Sequence, residues 1–349
     1  LPPTVLEKMR SELKCLPGEN TSIFEMGHYT PGYLDLHECI ITQLRTLANV
    51  PDSHAIVFLQ GGARMQFAMA PLNLQHLAGA PHYIVSGIWS KQAAAEFEKL
   101  QLGPCTVDSF SQQGDLYLAP QISAFADPPS FTYLCTNETV HGVQYHQPPV
   151  EGDIPIVGDA SSDFLSRPID LSRYSILFAC AQKNLGIAGL TIAIVNPELI
   201  EHNDRIIPTY LDYRAHINAN SMYNTPPMFQ IYVLGLMCEW IEQEFGDLEQ
   251  LSAHNKAKAK LLYDVLDESE GFYRGCADPA YRSDMNVTFR LPSEALESLF
   301  LSDAEESGLI YLKGHKSFGC IRASIYNAMP IEGVKRLRAF MEEFAARHR

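Results

Sequence analysis

Residues 178–190 read FACAQKNLGIAGL, which places Lys183 directly behind one apolar run, 174–178, and ahead of another, 190–195. Both runs are apolar at consecutive positions, as in strands buried on both faces of a sheet covered by helices. The same texture recurs at 55–59, 82–85, 131–135 and 154–157, with stretches able to form helices between them. Such alternation predicts an α/β fold with a mostly parallel central sheet. In that architecture ligands gather at the carboxyl ends of strands and at helix N-termini, so residues at those places are the first candidates for chemistry.

Lys183 is one of them. An amine held in an apolar wall loses its proton more readily, and the free amine is what forms a Schiff base. Taken alone, a lysine at a strand end is more often one that reaches out to solvent. The run 154–157 leads into Gly158-Asp159-Ala160-Ser161-Ser162, which sets a carboxylate at the same sheet edge 24 residues before Lys183. That carboxylate could pair with the protonated ring nitrogen of pyridoxal phosphate, or simply cap a turn. The run 55–59 enters Gln60-Gly61-Gly62-Ala63-Arg64 and then a helical pattern. Glycines at that junction let backbone N–H groups approach a phosphate, although neither the Walker A nor the G-x-G-x-x-G pattern is present. Trp89, one of two tryptophans, follows the run 82–85, where an indole could stack on a flat cofactor or fill the core. A phosphate cradle, a stacking aromatic, a ring-nitrogen carboxylate and a lysine, each behind a different strand, form one consistent set.

Beyond residue 225 the texture changes. Thr225-Pro226-Pro227 opens a helical stretch to about Phe245, and a more polar one covers 251–266. A strand at 285–290, a helix at 292–301, a strand at 320–325 and a terminal helix with Val334, Leu337, Phe340, Met341 and Phe344 on one face read as a smaller α+β domain. The expected division is therefore a large domain, 1–250, and a small one, 251–349.

Composition narrows the function classes. The 349 residues, 46% of them hydrophobic, suffice for a packed core without disulfide staples. A formal net charge of −15 disfavours DNA and anionic lipid as partners. No apolar run approaches the roughly 18 residues that a membrane helix needs, so a soluble, cytoplasmic protein is expected. The eight cysteines lack a C-x-x-C pair and read as buried reduced thiols. N-x-S/T matches at Asn20, Asn137 and Asn286 read as chance, and His141 with His146 as an exposed loop pair rather than metal ligands. The acidic cluster Asp303, Glu305 and Glu306 reads as a solvated helix face. The first residue is Leu1 and not Met, which leaves open whether a segment precedes it.

Four long strings carry a resemblance: SDFLSRPIDLSR (162–173), AQKNLGIAGLT (181–191), SMYNTPP (221–227) and RASIYNAMP (322–330). Through them the chain resembles the phosphoserine aminotransferase family over nearly all its length. The resemblance implies a fold type I aminotransferase: a large domain that binds pyridoxal 5′-phosphate, a smaller C-terminal domain, and a homodimer with active sites at its interface. It further implies that Lys183 holds the cofactor and moves the proton between the substrate α-carbon and cofactor C4′. Asp159 would pair with the ring nitrogen, Trp89 would stack on the ring and Thr139 would bond its hydroxyl side. Ala63, Arg64 and Gln182 would hold the cofactor phosphate, with Asn224 and Thr225 arriving from the partner subunit, and Arg322 would clamp the substrate α-carboxylate. In the family a basic cluster gathers the substrate phosphate. Here its arginines are replaced by Tyr29, in Gly27-His28-Tyr29, and Lys316, in Gly314-His315-Lys316. His28, His315, Lys316 and Arg64 remain to meet it. The family's Gly-Pro segment ahead of the first Leu-Pro is absent.

Three readings of function result. One is transamination of 3-phosphohydroxypyruvate with glutamate, giving O-phosphoserine and 2-oxoglutarate in serine biosynthesis. Another is an aminotransferase of the same fold acting on a different amino or keto acid. A third is a catalytically idle cofactor-binding protein, against which the intact Lys183, Asp159 and Arg322 speak.

Overall fold

The structure is a computed structural model that describes residues 1–349 except Ser123, Ala124, Ala126 and Ser317. Helices α1 (Pro3–Glu12) and α2 (Pro31–Ala48) precede β1 (Ala55–Gln60), which runs into α3 (Ala63–Leu74). Then come β2 (His82–Val85), α4 (Ile88–Leu100), β3 (Thr106–Ser109) and a hairpin of β4 (Ser111–Gln113) with β5 (Leu116–Leu118). β6 (Thr132–Cys135) leads to a second hairpin, β7 (Asn137–Glu138) with β8 (Val143–Gln144), and to β9 (Ile156–Asp159), β10 (Ile176–Cys180) and β11 (Leu190–Val195). After α5 (Pro197–Glu201) and α6 (Tyr213–Asn218), the long helices α7 (Met228–Phe245) and α8 (Leu248–Glu268) open the C-terminal part. It is completed by β12 (Arg274–Gly275), β13 (Asn286–Arg290), α9 (Glu294–Glu306), β14 (Ile321–Ser324) and α10 (Ile331–His348).

Among the described residues a seven-stranded sheet runs in the order β1-β11-β10-β9-β6-β2-β3. The pairs from β10 through β9, β6 and β2 to β3 are parallel, and β11 is antiparallel to both of its neighbours. Side chains that alternate along each strand sort into two clusters, one on each face. Ile56, Phe58, Leu177, Ala179, Leu190, Ile192 and Ile194 join one cluster, while Val57, Leu59, Ile176, Phe178, Ala193 and Val195 join the other. A strand with helices on both sides has no polar face to spare, which is why its sequence reads as unbroken hydrophobicity.

A further apolar cluster draws on residues 259–345, with Leu262, Phe289, Phe300, Ile321 and Phe344 packed around the antiparallel sheet β12-β13-β14. Leu248 and Leu251, in the first turn of α8, side with the large-sheet cluster, whereas Ala259, Leu262 and Val265 side with this one. Asp247 caps α8 by accepting from the Gln250 N–H, so the helix starts three residues earlier than its apolar pattern suggests.

Two expectations need correction. Cys276 and Cys320, one directly after β12 and the other directly before β14, are joined in a disulfide. Cys15 and Cys39 are exposed, on a turn and on the solvent side of α2, rather than buried. His141 is also buried, at 5% exposure, with the rings of Phe110, Tyr117 and Phe318 around it, while His146 is exposed. Asn137 and Asn286 are buried and hydrogen-bonded to each other, a poor setting for a glycan. Glu305 and Glu306 are exposed on α9. No helix among the described residues is long and apolar enough to cross a membrane.

Candidate active site

The carboxyl ends of β1, β2, β9 and β10 converge on a cavity of about 580 Å³. Its lining includes Ala63, Arg64, Trp89, Asp159, Gln182 and Lys183. Four features spread over more than a hundred residues of sequence therefore meet in one place, as the parallel sheet requires.

Each side chain is positioned by its strand. Asp159 is the last residue of β9, buried, and its Oδ1 accepts from the Ser161 N–H at 2.9 Å. Burial raises its carboxyl above the usual range, opposed chiefly by the nearby Lys183 ammonium. A carboxylate held this way, at the floor of a cavity, suits a cationic ring N–H. Lys183 follows β10, and its Nζ lies 5.8 Å from the Trp89 ring centroid. A flat ring laid on the indole would come within reach of that amine.

The indole is fixed in turn. Its N–H donates to the Thr139 hydroxyl at 3.0 Å, and the Trp89 main-chain N–H donates to Glu138 Oε2 at 3.1 Å. Glu138 also accepts from the Ser90 N–H and hydroxyl at 2.7 and 2.6 Å, so it caps the start of α4 from another strand. Burial raises the Glu138 carboxyl, and the donors of Ser90 and Trp89 oppose that rise. Gly87 makes room for it: a Cβ there would lie 2.6 Å from both the Glu138 carboxyl carbon and His141 Nδ1.

At the opposite end Gly61, with φ +98°, turns β1 into α3. The Ala63 N–H donates to Cys180 Sγ at 2.8 Å, and burial pushes the Cys180 thiol up, so it stays a neutral acceptor. Arg64, in the first turn of α3, and Gln182 are exposed toward this end. The N-terminus of a twelve-residue helix with an arginine beside it favours an anion.

Arg322, on β14, lies beside this group, its Nη1 donating to the Thr139 carbonyl at 3.3 Å. His315 and Lys316 are exposed on the segment before β14, with His315 close enough to His141 to act on it electrostatically. The remaining candidates stay apart from this cavity. Asn224 donates to Gln60 Oε1 at 2.9 Å, and the Thr225 carbonyl accepts from Gln60 Nε2 at 2.6 Å. His28 packs its ring on Tyr29, 4.1 Å between centroids, ahead of α2. Sequence reasoning missed Glu138, although it lies in a stretch whose neighbour Thr139 was singled out; a charged residue between two strand-like runs was the available signal.

These residues fit pyridoxal 5′-phosphate: an amine, a buried carboxylate, an aromatic platform and an anion-binding helix terminus surround a space of suitable size. Fold and site together define an aminotransferase of the α/β class built on a mostly parallel sheet. The sequence profile of the family Aminotransferase class-V matches residues 1–337. The phosphoserine aminotransferase of Rhodopirellula baltica is 41% identical over 350 residues, covering 100% of this chain and 93% of that protein. The solved phosphoserine aminotransferase of Bacillus circulans subsp. alkalophilus superposes with a TM-score of 0.93 at 40% identity, covering 100% and 96%. That of Trichomonas vaginalis, solved with pyridoxal phosphate bound, gives 0.90 at 33%, covering 98% and 97%. The chain belongs to the class-V aminotransferases and, within them, to the phosphoserine aminotransferase family. It is an enzyme of pyridoxal phosphate-dependent amino-group transfer.

Proposed function

We propose that this chain transfers the amino group of glutamate to 3-phosphohydroxypyruvate, giving O-phosphoserine and 2-oxoglutarate in serine biosynthesis. The observation that carries the reading is the position of Arg322, whose guanidinium is tied to Thr139, the residue that also fixes the Trp89 indole. A planar cation beside the ring platform suits a substrate α-carboxylate, gripped by two parallel N–H bonds. Pyridoxal phosphate, when bound, supplies an electron sink for the carbanion formed at the substrate α-carbon. Lys183 would hold the cofactor, and its amine would serve as the base that moves the proton at the substrate α-carbon. Asp159 keeps the ring nitrogen protonated, Trp89 holds the ring flat, and Thr139 bonds the ring-hydroxyl side. Ala63, Arg64 and Gln182 hold the cofactor phosphate, with Asn224 and Thr225 of the second subunit.

The same reading makes the protein a cytoplasmic homodimer with shared active sites and with a large domain, 1–250, and a small one, 251–349. The hydrophobic cluster confined to 259–345 supports a separate C-terminal unit, with the change of cluster falling within α8, between Leu251 and Ala259. Its partners are small amino and 2-oxo acids, and not nucleic acid or membrane.

Tyr29 and Lys316 favour a second reading, in which the substrate side chain is not a phosphate. Tyrosine removes a full charge and lysine loses the bidentate fork. Single-turnover reaction of the holoenzyme with phosphoserine, serine and aspartate separates the two. Phosphoserine reacting fastest is expected; reaction no faster than that of serine would overturn the phosphate assignment.

A further inference from the structure

Four buried polar residues outside the cavity converge behind it. Asn184, next to Lys183, accepts from the Asn327 N–H at 3.1 Å through its Oδ1 and donates to the Ser162 carbonyl at 3.1 Å. Asn327, five residues past Arg322, donates to the Leu165 carbonyl at 2.7 Å and accepts from Asn255 at 2.9 Å. Asn255 also donates to the Ser166 carbonyl at 3.0 Å. One turn along α8, Lys258 donates to the carbonyls of Ile325, Tyr326 and Met329 at 3.1, 2.9 and 3.2 Å. All four are at most 2% exposed.

The connectivity is specific. The loop 162–166 follows Asp159, Asn184 follows Lys183, and the turn 325–329 follows Arg322. Three segments, each next to one proposed catalytic or binding group, are thus joined by amide hydrogen bonds in a buried layer, where loss of a partner leaves a buried group unsatisfied. We propose that Asn184 and Asn327 are positioning residues that set the Arg322 guanidinium relative to Lys183 and Asp159, and so determine how tightly the amino-acid substrate is gripped. This rests on the assignment of Arg322 to the substrate carboxylate.

A double-mutant cycle on the loaded holoenzyme tests it, reading the concentration of glutamate that half-saturates the single-turnover reaction. Arg322→Ala should raise that concentration on the order of a hundredfold. Asn184→Ala should raise it about tenfold in the wild-type background, and scarcely at all in the Arg322→Ala background, because the residue acts through the arginine. Retention of the bound-cofactor absorbance identifies folded, loaded protein. Should Asn184→Ala not fold, Asn327→Ala, which keeps its main-chain N–H for Asn184 and loses only the links to Leu165 and Asn255, serves in its place. An equal rise in both backgrounds, or a lower melting temperature with unchanged half-saturation, would overturn the positioning role alone. If Arg322→Ala leaves glutamate half-saturation unchanged, the carboxylate assignment fails and this inference fails with it.

Discussion

Trp89 and Thr139 are joined by a 3.0 Å hydrogen bond from the indole N–H to the threonine hydroxyl, while the carbonyl of the same threonine takes an N–H of Arg322. One residue on the short hairpin thus orients both the aromatic platform and the guanidinium. Thr139→Val keeps the shape and removes the acceptor. A neutral hydrogen bond of this kind contributes about 1 kcal/mol, so cofactor affinity should fall roughly fivefold, measured by titrating the apoenzyme with pyridoxal phosphate and following tryptophan fluorescence. Unchanged affinity would show that packing alone holds the indole.

Lys183→Ala removes the only lysine on the cavity lining among the described residues. Steady-state transamination should vanish while the circular dichroism and melting transition stay near wild type, since the side chain is half-exposed and buries little apolar surface. Turnover retained at even a few per cent, checked by coupled assay, would contradict the role given to this amine.

Tyr29→Arg adds a positive charge ahead of α2, where the ring is 69% exposed and rests on His28. If this segment meets the substrate phosphate, the rate constant for phosphoserine at low concentration should rise about tenfold, the worth of one charge-assisted hydrogen bond, with serine unaffected. Equal change for both substrates would place Tyr29 outside the substrate pocket.

His141 sets an acid limit on stability. Burial among the aromatic rings, reinforced by His315, pushes its imidazole down from the ordinary 6.5 to about 4. Between these values the unfolded chain binds a proton that the folded one does not, so stability falls as pH drops from 6.5 toward 4. The full loss is roughly 3 kcal/mol. Urea denaturation from pH 7 to 4.5 should therefore show a shallower decline for His141→Phe than for wild type, and parallel curves would sink the assignment.

Lys183, Asp159 and Trp89 were legible in the sequence because each follows an apolar run that could only be a buried strand. The direction of β11 was not, since consecutive hydrophobicity is the same read in either sense. β3 was missed because Thr106-Val-Asp-Ser, at the sheet edge, has no apolar run and is mostly exposed. α1 and α2 precede the alternating region and went unread. Glu138, Asn184 and Asn327 escaped notice for a different reason. A buried polar residue is recognised by its partner, and those partners are 48 and 143 residues away in sequence. Cys276 with Cys320 and the cage around His141 are likewise products of long-range pairing that no local pattern records.

Asp159 stands in register with Phe178 on one neighbouring strand and with Cys135 on the other. A slip of one position would send every side chain of that strand to the opposite layer. Asp159 is therefore locked to the lattice of the sheet, and little variation there is tolerable. The histidines beside Tyr29 and Lys316 lie on connecting segments outside that lattice. Substitutions at such segments leave the register of the sheet untouched, so side chains there can change without displacing Asp159.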